Sequence, residues 1–323
     1  MNKNPKISVI LSFCNEERTL EELVRRLRNV FRADLKDVIS DYELIFVSDA
    51  STDRSIAILL DLAKGDKDIK IINTSRNFGV YPCMLAGMKY SSGDAVIYLD
   101  SDLQDPPEFI PEMVKMWINE NVDVVHTKRL SRAGESKIKL WITHIGYFIL
   151  QKISNIHIEP NVGDFKLMSR RVVNELLKMG EKNPFVRGLV NWIGFTQTTI
   201  PYHREARFAG ETKYPVYSWR VIKHFLDHAL ISFSDIPLKV SLFIGFFISL
   251  GALCYLVILL IMCLFGLTVP GWAAIMAAVL MLGGVQLFAI GVLGLYMNSV
   301  FLEAKNRPNY IVDNTYGFDE QRN

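Results

Sequence analysis

The chain has 323 residues, half of them hydrophobic, with 36 Lys and Arg against 34 Asp and Glu and a formal net charge of +2. That length can bury a large core. The net charge argues nothing about nucleic acid, but no basic run is interleaved with aromatics, and nucleic acid is not an expected partner.

Lys6 to Phe13 alternates as a strand, and Asn15-Glu16-Glu17 opens an amphipathic helix with Leu20, Leu23, Val24 and Leu27 on one face. The first apolar run, Ile7 to Phe13, is too short for a signal peptide and runs into those acidic residues. The unit then repeats. Glu43 to Val47 is a strand ending in Ser48-Asp49-Ala50-Ser51-Thr52-Asp53, and Ile56, Leu59, Leu60 and Ala63 mark a helix. Ile69 to Ile72 is a third strand, Ser75 to Gly79 a loop, Met84 to Tyr90 a helix and Ala95 to Leu99 a fourth strand. Such alternation predicts a parallel sheet with helices on both faces, a nucleotide-binding architecture. Neither G-x-G-x-x-G nor G-x-x-x-x-G-K-[ST] occurs, which argues against dinucleotide and P-loop chemistry.

The fourth strand runs into Asp100-Ser101-Asp102-Leu103-Gln104-Asp105-Pro106-Pro107-Glu108, ahead of a helical pattern over Phe109 to Ile118. Asp100 and Asp102 therefore stand where open α/β sheets bind ligands, and two carboxylates one residue apart suit one hard divalent ion, Mg²⁺ or Mn²⁺, shared with substrate phosphates. Asp105 is expected to cap the helix, with Pro106 at its first position and Glu108 closing a capping box. Polar groups gather at all four strand ends: Asn15 with Glu16, Asp49 with Asp53, Arg76, then Asp100 with Asp102. A cap or turn role explains any one of them, but not readily all four.

Val122 to Thr127 is another strand, followed by a basic stretch with Lys128, Arg129, Arg132, Lys137 and Lys139 that is either a solvated loop or a phosphate site. Gly163 to Met168 is strand-like. Arg204, Arg207 and Lys213 flank Gly210 in a segment suited to clamping phosphates. Val216 to Phe233 is amphipathic and is expected to lie along a membrane surface. His224 and His228 have the spacing of a metal pair but lack a third ligand.

From Val240 to Leu302 there is no Asp, Glu, Lys, Arg or His. At roughly 20 residues per crossing, this holds two transmembrane helices joined at Gly266 to Gly271. A buried soluble hairpin would need two long helices hydrophobic all round. Arg220, Lys223 and Lys239 precede the first span, Lys305 and Arg307 follow the second, and the turn has no cation. The positive-inside rule then places both termini and the soluble part in the cytosol, at an inner or plasma membrane. The four cysteines fit that compartment as unpaired thiols without C-x-x-C spacing. The expected domains are 1–215 catalytic, 216–238 juxtamembrane, 239–302 transmembrane and 303–323 a cytosolic tail.

Asn15-Glu16, Ser75-Arg76-Asn77-Phe78-Gly79, Asp100 to Glu108, Gly163-Asp164-Phe165, Arg187-Gly188-Leu189, Arg207 to Lys213 and Lys305 to Tyr310 together resemble the family 2 glycosyltransferases of GT-A (Rossmann-like) fold that use a polyprenyl phosphate acceptor. The bacterial GtrB and ArnC branch is the nearer likeness, dolichyl-phosphate mannose synthases the more distant, and the match covers nearly the whole chain. The resemblance implies that Glu16 and Asp49 hold the base and ribose of a nucleotide sugar, with Arg76 nearby. It also implies that Asp100 and Asp102 hold Mg²⁺ or Mn²⁺ against the diphosphate, and that Gln104 sits beside the sugar. Arg129, Lys139, Arg207 and Lys213 would hold phosphates of donor or acceptor. Asp164 would be either a catalytic base or a group that orients cations. A homo-oligomer is compatible with this likeness. Ser12 and Cys14 stand where the family usually has Pro and Tyr, Ser48 replaces the first of two Asp, Lys139 an Arg, and Leu295 a Glu.

The expected reaction is inverting transfer of a sugar, glucose by resemblance, from a UDP-sugar to undecaprenyl phosphate. A processive polysaccharide synthase would share the carboxylates, but no Gln-x-x-Arg-Trp is present and two spans are too few for a pore. A non-catalytic nucleotide-sugar binder would need Asp49 but not both Asp100 and Asp102.

Overall fold

The computed structural model describes residues 4–130, 162–182, 184–204, 236–265 and 271–318. Lys139, Arg207, Lys213, the amphipathic stretch Val216 to Phe233 and the 266–270 turn lie outside the described residues.

Eight strands form one sheet: β1 (Lys6–Phe13), β2 (Asp41–Ser48), β3 (Ile69–Thr74), β4 (Ala95–Asp100), β5 (Val124–Arg129), β6 (Val162–Ser169), β7 (Gln197–Tyr202) and β8 (Val312–Tyr316), in the order β7-β5-β6-β4-β1-β2-β3-β8. The β3-β2-β1-β4 centre is parallel, as the alternation of elements requires. The sheet as a whole is mixed, because β6 runs antiparallel to both β4 and β5, and β8 runs antiparallel to β3. The expected parallel sheet is its four-stranded centre, and the antiparallel strands are added beside it. This is the GT-A-like architecture that the family resemblance implies.

Alternation along β1 divides the core. Ile7, Val9, Leu11 and Phe13 face α1 (Leu20–Asn29), α2 (Ser55–Lys64) and α4 (Ile110–Glu120), whereas Ile10 faces the layer of α3 (Val80–Tyr90), α5 (Arg170–Met179) and α6 (Val186–Trp192). Helix α3 lies close on the sheet because Gly87 has no side chain; a Cβ there would sit 2.4 Å from Ile10 Cγ2. Helix α1 begins at Leu20, later than Asn15-Glu16-Glu17 implies, because Asn15 turns the chain through a left-handed conformation (φ 57°).

Two long helices follow, α7 (Ile236–Leu264) and α8 (Trp272–Lys305). Ile236–Tyr255 and Met281–Lys305 are long and apolar enough to cross a membrane, and none of either stretch is buried inside the chain. Large apolar side chains such as Phe243, Phe247, Leu287 and Ile290 are 59% to 72% exposed, which water disfavours and lipid does not. Leu295 is likewise half exposed on α8. The tail then returns to the sheet as β8, a strand the expected tail lacked.

Candidate active site

The carboxyl ends of β1, β2 and β4 lie side by side, with Ser12 opposite Asp100 and Phe13 opposite Ser48. Two loops lock together above them. The Asn15 amide oxygen accepts the Thr52 N–H at 2.8 Å, while the Glu16 and Glu17 amides donate to Ser55 Oγ and Asp53 Oδ2 at 3.0 and 3.2 Å. Asp53 is thus engaged in holding the loops. Ser48, the departure from a paired Asp, accepts the Ser51 amide at 3.1 Å. Asp49 is buried, and its two oxygens accept the Phe78 and Gly79 amides at 2.7 and 3.0 Å, which fixes the 75–79 loop. Arg76 in that loop lies over the Phe78 ring, 4.1 Å from its centroid.

Asp100 ends β4, where Tyr98 donates to its Oδ1 at 2.8 Å. Ser12 shares a 2.5 Å hydrogen bond with the same tyrosine hydroxyl, so the residue standing for the family's proline supports the carboxylate. The chain leaves the strand through Leu103, buried and left-handed at φ 57°, and the Gln104 amide closes a turn onto Asp102 Oδ1 at 3.1 Å. Thr19 donates to the Ser101 carbonyl at 2.9 Å. Burial, then the carboxylates of Asp102, Asp164 and Asp105, push the Asp100 carboxyl up to about 7 against the Tyr98 hydrogen bond. This concentration of hard oxygen donors fits Mg²⁺ or Mn²⁺ completed by phosphate oxygens and water. Among the described residues, no cluster of three or more His, Cys, Asp or Glu could hold a metal by itself.

Asp164 lies on β6, where Arg187 of α6 meets it with Nη2 at 2.7 Å from Oδ2 and Nε at 3.3 Å from Oδ1. Burial would raise its carboxyl, but Arg187, then Lys166 and Arg129, hold it below the usual carboxylate range. Two residues along the same face, Lys166 is fully buried, and its Nζ has no hydrogen-bond partner among the described residues. Burial lowers it to about 8, opposed by Asp164. Arg129 passes over Gly163, where a Cβ would come within 2.9 Å of its Nη2, and donates from Nε to the Tyr202 hydroxyl at 3.2 Å.

Asp105 is not a helix cap. Pro106 takes the capping position without a side-chain bond, while Asp105 is buried and accepts from the Tyr202 hydroxyl and from Arg204 Nε at 3.1 Å, with Arg129 at 3.7 Å. Glu108 pairs with Arg26 rather than closing a box. The physical reason is that two donors, Tyr202 and Arg204, with the Arg129 cation beside them, outcompete the local backbone for that carboxylate. Tyr98, Lys166, Arg187 and Tyr202 are site residues to which sequence reasoning gave no role, and Arg204, expected to help clamp phosphates, donates to Asp105.

The model for the family "Glycosyl transferase family 2" matches residues 8–177. The chain belongs to that family. It is similar over nearly its whole length to an uncharacterized glycosyltransferase of Synechocystis sp. (41% identity; 97% of this chain, 96% of the relative) and to the uncharacterized glycosyltransferase YkcC of Bacillus subtilis (40%; 100% and 98%). The SfII prophage-derived bactoprenol glucosyl transferase of Shigella flexneri is 36% identical over 96% of this chain and 98% of its own. A solved mannosyltransferase, PcManGT from Pyrobaculum calidifontis in complex with GDP-Man and Mn²⁺, superposes at a TM-score of 0.46 with 16% identity, covering 94% of this chain and 88% of that one. So loose a likeness carries no argument about ligands here. This glycosyltransferase thus pairs a GT-A-like sheet with two helices suited to membrane association.

Proposed function

We propose that this glycosyltransferase moves a sugar, glucose in the first instance, from a UDP-sugar to a polyprenyl phosphate such as undecaprenyl phosphate at the cytosolic face of the membrane, with both termini on that side. The observation that carries this reading is the meeting of Asp100, Asp102 and an Arg187-bound Asp164 on one sheet edge, in a chain that also carries two membrane-length apolar helices. The relatives named bactoprenol glucosyl transferases support the acceptor class.

The lipid phosphate oxygen attacks the anomeric carbon, the nucleoside diphosphate departs with the bonding pair, and the configuration inverts. Asp100 and Asp102 would hold a divalent ion, which would supply neutralisation of diphosphate charge. The chain's own part is placement. Glu16, Asp49 and Arg76 border the nucleotide, Gln104 the sugar and Arg129 the acceptor phosphate; Lys139, Arg207 and Lys213 are assigned to phosphates on resemblance alone. Asp164 is read as orienting rather than as a base. Its proton affinity is reduced by Arg187, and a phosphate monoester with a second pKa near 6 is already mostly dianionic at neutral pH.

The test is transfer of radiolabelled sugar into an organic-extractable, acid-labile lipid, over a panel of nucleotide sugars with polyprenyl phosphate present or absent. Label appearing only with both substrates is expected. Polymer that stays in the aqueous phase would favour a polysaccharide synthase, and binding without transfer would favour a nucleotide-sugar sensor.

A further inference from the structure

On the outer side of the 75–79 loop that Asp49 holds, the end of α8 meets the soluble domain around a cleft of about 490 Å³. Its walls come from the loop after β3 (Arg76, Phe78), the loop after α5 (Lys182) and the end of α8 with the tail (Leu302, Lys305, Arg307). Four cations and no carboxylate line it among the described residues. Among the described residues, none of the four is held in an ion pair. The neighbouring acid Glu303 is engaged by backbone rather than by a cation, accepting the Lys182 amide at 2.7 Å. Asn309 ties the tail to the domain by donating to the Glu181 carbonyl at 2.7 Å, so the cleft is built from three fixed segments.

Position says what such a cleft would meet. Lys305 closes the apolar stretch Met281–Lys305, so the cleft opens at the level where that helix would leave the hydrocarbon. Lys305 also packs over Phe301, 4.0 Å from the ring centroid, with its charge at the helix end. Clustered cations at the cytosolic end of a span attract lipid phosphate. Leu302, Phe78 and the prolines Pro82, Pro184 and Pro308 give the same cleft an apolar wall for glycerol and the first acyl carbons.

We infer that this cleft binds the phosphate headgroup of an anionic membrane phospholipid, seating the catalytic domain on the membrane, as a site separate from that of the acceptor. The inference rests on the reading that α8 crosses the membrane. None of the residues around Asp164, Arg187 and Arg129 lines the cleft.

The experiment titrates the full-length, detergent-solubilised protein with phosphatidylglycerol or phosphatidylcholine and counts bound lipid by native mass spectrometry. The parent is expected to hold one phosphatidylglycerol preferentially, and Lys305→Gln with Arg307→Gln to weaken it about thirty-fold, at roughly tenfold or less per cation. A pair of remote exposed cations, Lys64→Gln with Arg25→Gln, should leave binding unchanged. The charge-keeping exchange Lys305→Arg with Arg307→Lys should retain it. Should the neutralised pair not fold, Lys182→Gln on the loop gives the same reading. Equal binding by parent and neutralised pair overturns the site, and equal losses from the remote pair reduce it to diffuse charge, which overturns it too. Displacement of phosphatidylglycerol by polyprenyl phosphate would make the cleft part of the acceptor path, and displacement by UDP part of the donor site; either result sinks the inference. Failure of the parent to float with vesicles of any composition would instead remove the membrane reading, and the inference with it.

Discussion

Arg187 grips both oxygens of Asp164, at 2.7 and 3.3 Å, so the carboxylate that a motif-based reading would nominate as a base is already committed to a cation. An orienting role has a different pH signature from a base. Asp164→Asn should lose activity by about 10²-fold, nearly evenly from pH 6 to 9, with much of the loss in KM for the lipid phosphate. Arg187→Gln should resemble it, and the double variant should be scarcely worse than either single one. Recovery of Asp164→Asn as pH passes the acceptor's second pKa would restore the base assignment.

Asp100 and Asp102 are expected to be the least replaceable pair. Asp100→Asn or Asp102→Asn should lower metal-dependent turnover by about 10²–10³-fold, the usual cost of losing an electrostatic stabiliser of leaving-group charge. Thermal stability should be kept, since at Asp100 the change also relieves carboxylate crowding. Tyr98→Phe removes the 2.8 Å hydrogen bond to Asp100 together with the 2.5 Å bond to Ser12 and should cost about tenfold. Near-parental rates with either Asn variant would end the metal assignment.

What the sequence disclosed and what it hid divide along contact distance. The β1 to β4 alternation, and the carboxylates at the end of β4, follow from local periodicity and were legible. Asp105 was misread because its partners Tyr202 and Arg204 lie 97 and 99 residues away, whereas Pro106 and Glu108 form a convincing local capping pattern. Helix α5 had a signal that could have been used, Val172, Val173 and Leu176 at helical spacing. Strand β8 had almost none: five residues with a polar centre, Val-Asp-Asn-Thr-Tyr, acquire strand structure only by pairing with the edge of β3. Arg187 stood within a recognisable motif, but nothing local ties it to Asp164 on another element.

Far from the chemistry, Glu43 is buried on β2 and accepts Lys70 Nζ, Ser8 Oγ and the Ser92 amide, each at 2.6 Å. Burial would raise its carboxyl, but those hydrogen bonds outweigh burial and lower it to about 2. A folded value below the unfolded one, about 4.3, means full stabilisation above that unfolded value and progressive loss as pH falls toward 2. Glu43→Gln should therefore cost on the order of 3 kcal/mol near neutrality. The gap in melting temperature between parent and variant should narrow below about pH 4. A gap independent of pH would show that packing, not charge, explains the loss.

The proposed topology makes a prediction that involves no catalysis. Thr268→Cys, between the spans, should react with a membrane-impermeant maleimide in intact cells, and a reporter fused after Asn323 should read cytosolic. Labelling of that cysteine only after permeabilisation would invert the arrangement and put the sheet on the wrong side for a cytosolic donor.

Gly163 offers a way to disturb Arg129 without touching its charge. A Cβ at residue 163 would fall 2.9 Å from Nη2, 3.3 Å from Cζ and 3.4 Å from Nε of Arg129, so the guanidinium has to move. That is the far end of a flexible side chain, so the strand need not shift. What is lost is the guanidinium's hold on Tyr202, at 3.2 Å, and on Asp105, at 3.7 Å. If Arg129 positions the acceptor phosphate, Gly163→Ala should keep the melting temperature close to parental and raise KM for the lipid phosphate about tenfold, with kcat and the donor KM little changed. Arg129→Gln should raise the same KM further, and adding Gly163→Ala to it should do almost nothing, because the side chain that the new methyl displaces has already lost its charge. Independent, multiplying effects of the two substitutions, or a Gly163→Ala enzyme with parental lipid KM, would take Arg129 out of the acceptor site.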